Sequence, residues 1–246
     1  MLEELVKKYG APVGVISLVI AALLWGGEYV VAKDVLDTIA PNWTNVIRDG
    51  LTAIMALVIW QKDFRAATAD DWKRGAICGI LFGLGGALQT MGLELINTGV
   101  NAFISAAYVV IVPFMVWIIE KSKPAGKVFI SAAIAMAGVT IMSITGITSG
   151  EFSMGKGEML SLMSAFCYAG AIVTADCFTR KTSVSLITGM QFIFAFAVAL
   201  IMALTLGEPL PSFDIVSTPI VIEFIYLIIL QRFRKRLFMS VLLLGR

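Results

Sequence analysis

Histidine is absent from the 246-residue chain and charge is scarce: Lys and Arg number 19, Asp and Glu 17, together 15% of the residues. Without imidazole there is no His-ligated metal site and no Ser-His or Cys-His nucleophile pair. The three cysteines, Cys78, Cys167 and Cys177, lie in apolar stretches without the paired spacing of a metal site. They read as small packed side chains, so neither metal nor cofactor is expected. A formal net charge of +2 gives no basis for binding nucleic acid. Apolar residues fill the chain instead, 59% of it, with a mean hydropathy of +0.90. Soluble proteins hold about 25% charged residues, so an ordinary soluble domain and a disordered chain are both excluded. The lipid bilayer is the expected partner.

A membrane helix needs about 20 mostly apolar residues to cross about 30 Å of hydrocarbon. Eight stretches qualify, at about 13–32, 42–60, 74–93, 100–119, 127–146, 157–177, 184–206 and 217–231. The first follows Lys7 and Lys8 but shows no small-residue cleavage site, so it reads as a retained helix. Basic residues gather in alternate connections: Lys62, Arg65, Lys73 and Arg74, then Lys121, Lys123 and Lys127, then Arg180 and Lys181, then Arg232, Arg234, Lys235 and Arg236. Only Lys33 and Lys156 fall on the opposite side. Cytoplasmic loops hold the excess of Lys and Arg, which places the N-terminus in the cytoplasm and the chain in the inner or plasma membrane.

The sequence also matches itself at an offset of 143. Gly14, Ala22, Gly27, Val30, Ala32, Ala56 and Leu57 meet identical residues at Gly157, Ala165, Gly170, Val173, Ala175, Ala199 and Leu200. The first span leaves the cytoplasm and its partner, the sixth, enters from outside, so the two units are inverted. Inverted repeats are a building plan of secondary transporters, with substrate held near the midplane. Small residues recur every four positions at Gly75, Gly79, Gly83 and Ala87, and again at Gly157, Ser161, Ala165 and Ala169. Such stripes let helix backbones approach closely in lipid.

The segment ALLWGGEYVVAK (Ala22–Lys33) with Pro41 and Arg48 resembles the opening helix pair of the EamA-type transporters of the drug/metabolite transporter superfamily. LQTMGLELINTGVNAFISAAYVVIVPF (Leu88–Phe114) is similar to the third and fourth helices of that family. Lys123-Pro124, Gly138-Val139 and GEMLSLMSAFCYA (Gly157–Ala169) carry the likeness into a second unit. The resemblance implies an all-α fold of ten helices in two inverted five-helix units, and export or exchange of small metabolites. Residues 1–146 would form the first unit and 157–246 an incomplete second one, with about eight of ten helices present. From 220 to 246 the repeat register fails, and this tail is suspect. A truncated or frameshifted, non-transporting member of the same family is therefore the alternative function.

Ionisable groups within spans cost several kcal/mol in lipid and are candidate functional groups. Glu28, three residues after Trp25, sits on the outer half of the first span. It either binds a cation or carries a coupling proton, or it reaches for headgroups and Lys33. Arg48, about 9 Å inside the second span, either pairs with Asp49, Glu28 or a substrate carboxylate, or snorkels to the interface. Neutral polar groups suit a metabolite cavity: Gln89, Asn101, Tyr108 and Tyr168, with Trp25 as an aromatic wall. Asn101, Ser105 and Tyr108 share one helical face, which either lines the cavity or bonds a neighbouring helix. Pro113 is expected to kink that helix. GEFSMGKG (Gly150–Gly157) fails as a nucleotide-binding loop because Gly157 stands where Ser or Thr is required. No catalytic constellation appears within the spans. The expectation is a secondary transporter working by alternating access on small metabolites such as amino acids, and not an enzyme.

Overall fold

The protein is described from a computed structural model covering residues 23, 26–121, 126, 128–130, 133, 134, 137 and 155–211. The expected fifth and eighth spans, most of the first, and the suspect tail at 220–246 lie wholly or largely outside these residues. The chain divides into two compact units, one of Met1–Thr38 with Ser212–Arg246 and a larger one of Ile39–Pro211. In the smaller unit residues 26–36 are helical.

The larger unit holds helices α1 (Pro41–Ile59), α2 (Gln61–Arg65), α3 (Ala69–Leu95), α4 (Thr98–Ser105), α5 (Tyr108–Glu120), α6 (Lys156–Thr179) and α7 (Val184–Thr205). Among the described residues no strand occurs. Four helical stretches there are long and apolar enough to cross a membrane: Ala69–Leu95, Thr98–Ile119, Lys156–Thr179 and Val184–Thr205. The protein is an all-α polytopic membrane protein. Its outward side chains fit that setting, since Ile118, Ile201 and Phe166 are all exposed, as lipid-facing residues are.

The start of α3 is set by its local chemistry. At α3, Thr68 Oγ1 accepts from Asp71 N at 3.3 Å while Asp71 Oδ2 accepts from Thr68 N at 2.9 Å, a reciprocal cap. The same Asp71 accepts from Thr182 Oγ1 at 2.6 Å, and Thr182 accepts from Arg74 Nη1 at 2.9 Å. Those bonds tie the start of α3 to the turn between α6 and α7. A helix of 27 residues is about 40 Å long, so this polar end reaches past a hydrocarbon layer of about 30 Å.

The N-terminus of α1 is capped from far along the chain. Its N-cap residue, Ala40, has no side chain to offer, and Pro41 occupies the first turn. Glu208 supplies the missing acceptor: its carboxylate takes Asn42 N at 3.0 Å, Asn42 Nδ2 at 2.7 Å and Trp43 N at 3.3 Å. Gly207 makes this possible. Its φ of +65° closes α7 with bonds from Gly207 N to Leu204 O at 3.3 Å and from Glu208 N to Ala203 O at 3.0 Å, a left-handed helix stop. The carboxylate also meets the positive end of the α1 dipole. Glu208→Ala is expected to destabilise the folded chain by about 1–2 kcal/mol, and Glu208→Gln, which keeps an acceptor, by less; thermal unfolding in detergent reads both.

α3 is the centre of the unit and presents glycine on two faces. A Cβ on Gly79 would stand 2.5 Å from Phe194 Cβ, and one on Gly83 would stand 2.8 Å from Ala195 Cα, so this stripe seats α7. On the other face a Cβ on Gly92 would meet Ser161 Oγ at 2.6 Å and Gly157 O at 2.9 Å, which seats α6. Gly157, misplaced for a nucleotide loop, is thus a helix-packing residue. Between these contacts lies a core of Ala53, Phe82, Ala171, Phe192 and Ala195, with the rings of Phe82 and Phe192 edge-on at 5.7 Å.

One expected feature takes a different form. The stretch at 100–119 is not one helix but two, α4 and α5, interrupted at 106–107. Turn-type bonds cross the break, Ala107 N to Ile104 O at 3.1 Å and Val109 N to Ala106 O at 3.0 Å. Pro113 lies beyond it, inside α5. The missing proline N–H concerns the carbonyl four residues back, Val109, which is already past the interruption.

Candidate functional site

Beyond Asn42 and Thr44 in its first turn, the polar residues of α1 are Asn45, Arg48, Asp49 and Thr52. Spacings of three and four put them on one helical face, and all four are buried. Arg48 therefore does not snorkel. It is 7% exposed, and its Nε donates to Asp49 Oδ1 at 3.1 Å. Ion and counter-ion are adjacent residues, so the buried pair is locally neutral.

α3 faces this stripe with Gly86, Gln89 and Thr90. Thr90 Oγ1 lies 3.1 Å from Asn45 Oδ1 and 2.8 Å from Gly86 O. Where Gly86 lacks a side chain, two groups converge: a Cβ at that point would be 3.6 Å from Arg48 Nη2 and 3.7 Å from Tyr168 Oη. Tyr168, from α6, donates its hydroxyl proton to Gln89 Oε1 at 2.8 Å. Its ring lies against Gly85, 3.1 Å from where a Cβ there would be. Phe82 and Tyr108 flank the Tyr168 ring edge-on at 5.6 and 6.5 Å.

Asn101 closes the layer from α4. Its Nδ2 donates to Gln89 O at 3.1 Å and to Ser161 Oγ at 2.8 Å, and Ser105 Oγ lies 3.4 Å from Ser164 Oγ. The face of Asn101 and Ser105 thus bonds α6, while Tyr108, beyond the break, packs on Tyr168. Two buried amide atoms of this layer, Asn45 Nδ2 and Asn101 Oδ1, have no hydrogen-bond partner among the described residues. A buried unsatisfied amide costs about 1–3 kcal/mol.

Gln89, Asn101, Tyr108 and Tyr168, drawn from three separate spans, are therefore brought together, with Arg48 over the same glycine. Glu28 is half-buried on the 26–36 helix of the smaller unit. Trp25 lies outside the described residues. Asn45, Gly86 and Glu208 had no place in the sequence reading, and Ser161 appeared there only in a packing stripe. The first had a visible signal, the polar spacing Asn45-Arg48-Asp49-Thr52 on a helix that is apolar beyond it. Gly86 and Glu208 had none, because their roles depend on helices far away in sequence.

The profile of the EamA-like transporter family matches residues 12–144, more than half of the chain. The chain belongs to the EamA-like transporter family. A curated relative from Archaeoglobus fulgidus, described as an uncharacterized transporter, is 26% identical over 193 residues, which are 76% of this chain. The chain spans 58% of that relative's length. The family match runs through Arg48, Gly86, Gln89, Asn101 and Tyr108, so most of the polar layer lies within it. Tyr168 and Ser161 fall beyond it and join the layer by packing of α6 on α3.

Proposed function

We propose that this EamA-family member is a secondary transporter, not an enzyme, that exports small metabolites such as amino acids by alternating access. The observation that carries this reading is a buried polar layer in which Arg48 and Tyr168 approach Gly86, Tyr168 bonds the Gln89 side chain and Asn101 bonds the Gln89 carbonyl, since polar groups within spans are costly in lipid. Gln89, Asn101, Tyr108 and Tyr168 form the cavity wall, and Glu28 is the carboxylate proposed for proton coupling. Residues 1–146 and 157–246 act as inverted units that rock about this layer. The helix α7 begins 143 residues after α1, which supports the repeat. The excess of Lys and Arg in alternate connections supports an inner-membrane protein with a cytoplasmic N-terminus.

Uptake of labelled amino acids into proteoliposomes at several pH values tests the reading. Wild-type uptake is expected to exceed that of protein-free vesicles and to vary with pH, and Glu28→Gln to flatten that variation. Uptake no greater than in empty vesicles rejects transport, and a pH profile unchanged by Glu28→Gln rejects proton coupling through Glu28.

A further inference from the structure

At the offset of 143, Asn45 and Arg48 of α1 meet Thr188 and Gln191 of α7, so a polar pair at a spacing of three recurs on both helices. Arg48 is the eighth residue of α1 and Gln191 the eighth of α7. Each therefore lies about 10 Å from the start of its helix. The two helices pack on one another: a Cβ on Gly50 would stand 2.9 Å from Phe196 Cδ2, and one on Gly189 would stand 3.5 Å from Ala56 Cβ. Position rises along α1 as it falls along α7, so the helices are antiparallel. Arg48 and Gln191 thus sit at matching depths from opposite ends.

The neighbours of the two residues match their difference in charge. Arg48 is followed by Asp49, its counter-ion at 3.1 Å, whereas Gln191 is followed by the buried Phe192. An amide needs no counter-ion. It does need hydrogen bonds, because a polar group in an apolar span is costly without them. Thr188 donates its proton to Val184 O at 2.8 Å, but the side-chain amide of Gln191 has no hydrogen bond among the described residues. Gln191 is half-buried and not enclosed, so its amide is within reach of a partner from outside the fold. An unsatisfied polar group inside a span is a candidate for a solute pathway.

We propose that Gln191 lines the solute path as the counterpart of Arg48 on the side of the connection that holds Arg180 and Lys181, and that its amide hydrogen-bonds the polar head of the solute there. This rests on the carrier reading above and on its inverted repeat, and it assigns a residue of α7 to the path. An amide both donates and accepts, so it serves the carboxylate or the ammonium of an amino acid and leaves no charge uncompensated once the solute has gone. Replacing it by leucine removes no hydrogen bond within the fold. Gln191→Leu is therefore expected to unfold at or above the wild-type temperature.

Thiol accessibility tests the placement with no substrate present. Gln191→Cys and Ile54→Cys are compared in vesicles, in a full-length chain whose Cys78, Cys167 and Cys177 are replaced by alanine. Ile54 is level with Gln191 across the α1–α7 contact and is 59% exposed, on the lipid-facing side. A water-soluble maleimide is expected to label Gln191→Cys at least about tenfold faster, since only the thiolate reacts and lipid suppresses its formation. Equal rates, or a slower reaction at 191, overturn the proposal. Uptake of amino acids into proteoliposomes, with the native cysteines in place, tests the role. Gln191→Leu should need at least about tenfold more amino acid for half-maximal uptake, the loss of one hydrogen bond to a charged group. An unchanged requirement overturns the proposal, and so does a lowered unfolding temperature, which would make Gln191 a packing residue. The two readings fail differently. Selective labelling without any wild-type uptake rejects the carrier and leaves Gln191 on a water-filled path; wild-type uptake indifferent to Gln191→Leu rejects the role of Gln191 alone.

Discussion

Replacing Gly83 by leucine is expected to cost more than about 3 kcal/mol, the upper end for overpacking, and to leave little monodisperse protein after extraction. The first added atom would lie 2.8 Å from Ala195 Cα and 3.2 Å from Ala195 O. Backbone atoms cannot swing aside as a side-chain tip does, so α3 and α7 must separate along their length. That separation opens the Phe82–Phe192 contact at 5.7 Å and the core around it. Gly170→Ala is the control: its Cβ would meet only flexible side-chain ends, Leu81 at 3.4 Å and Met115 Cε at 3.8 Å. The control should be neutral or gain up to about 1 kcal/mol of helix propensity. Size-exclusion profiles and thermal unfolding of the two variants in one detergent make the comparison. Equal stability of both would show that the helices are not in close contact at Gly83.

The second large effect concerns the buried ion pair. Arg48→Met leaves Asp49, 2% exposed, without the guanidinium that neutralises it, and removing one partner of a buried pair costs about 3–5 kcal/mol. Removing both is a different matter. Arg48→Met combined with Asp49→Leu replaces the pair by apolar groups of similar volume and is expected to recover most of that loss. Stability and function should then part company: the double variant unfolds near the wild-type temperature but does not take up amino acids in proteoliposomes. Recovery of uptake with the double variant would make the pair a structural fixture only.

How far the site was legible in the sequence differs residue by residue. Gln89, Asn101, Tyr108 and Tyr168 stood out because a polar group is conspicuous in an apolar span, and the fold unites them through bonds such as Tyr168 Oη to Gln89 Oε1 at 2.8 Å. For the face of Asn101 and Ser105 the sequence offered a cavity wall or a bond to a neighbouring helix, and packing supplies the bond to α6. Asn101 Nδ2 bonds Ser161, yet its Oδ1 has no partner among the described residues. For Arg48, hydropathy offered an interfacial cation as readily as a buried one. The neighbouring Asp49 decides between them by supplying a counter-charge at 3.1 Å. Gly86 looked like any other residue of a small-residue helix, because its importance lies in what α1 and α6 bring to it.

By itself the sequence determined that this is an all-α membrane protein, since length and apolarity of a span are local quantities set against one fixed thickness of hydrocarbon. The four apolar helices at Ala69–Leu95, Thr98–Ile119, Lys156–Thr179 and Val184–Thr205 sit close to their expected positions for that reason. Tertiary structure alone decided which glycines seat a neighbouring helix. It decided that Glu208 caps a helix 166 residues away, and that Arg48 is buried. Each of those depends on the distance between groups remote in the chain, and that distance is fixed only when α3 takes α6 on one glycine face and α7 on the other.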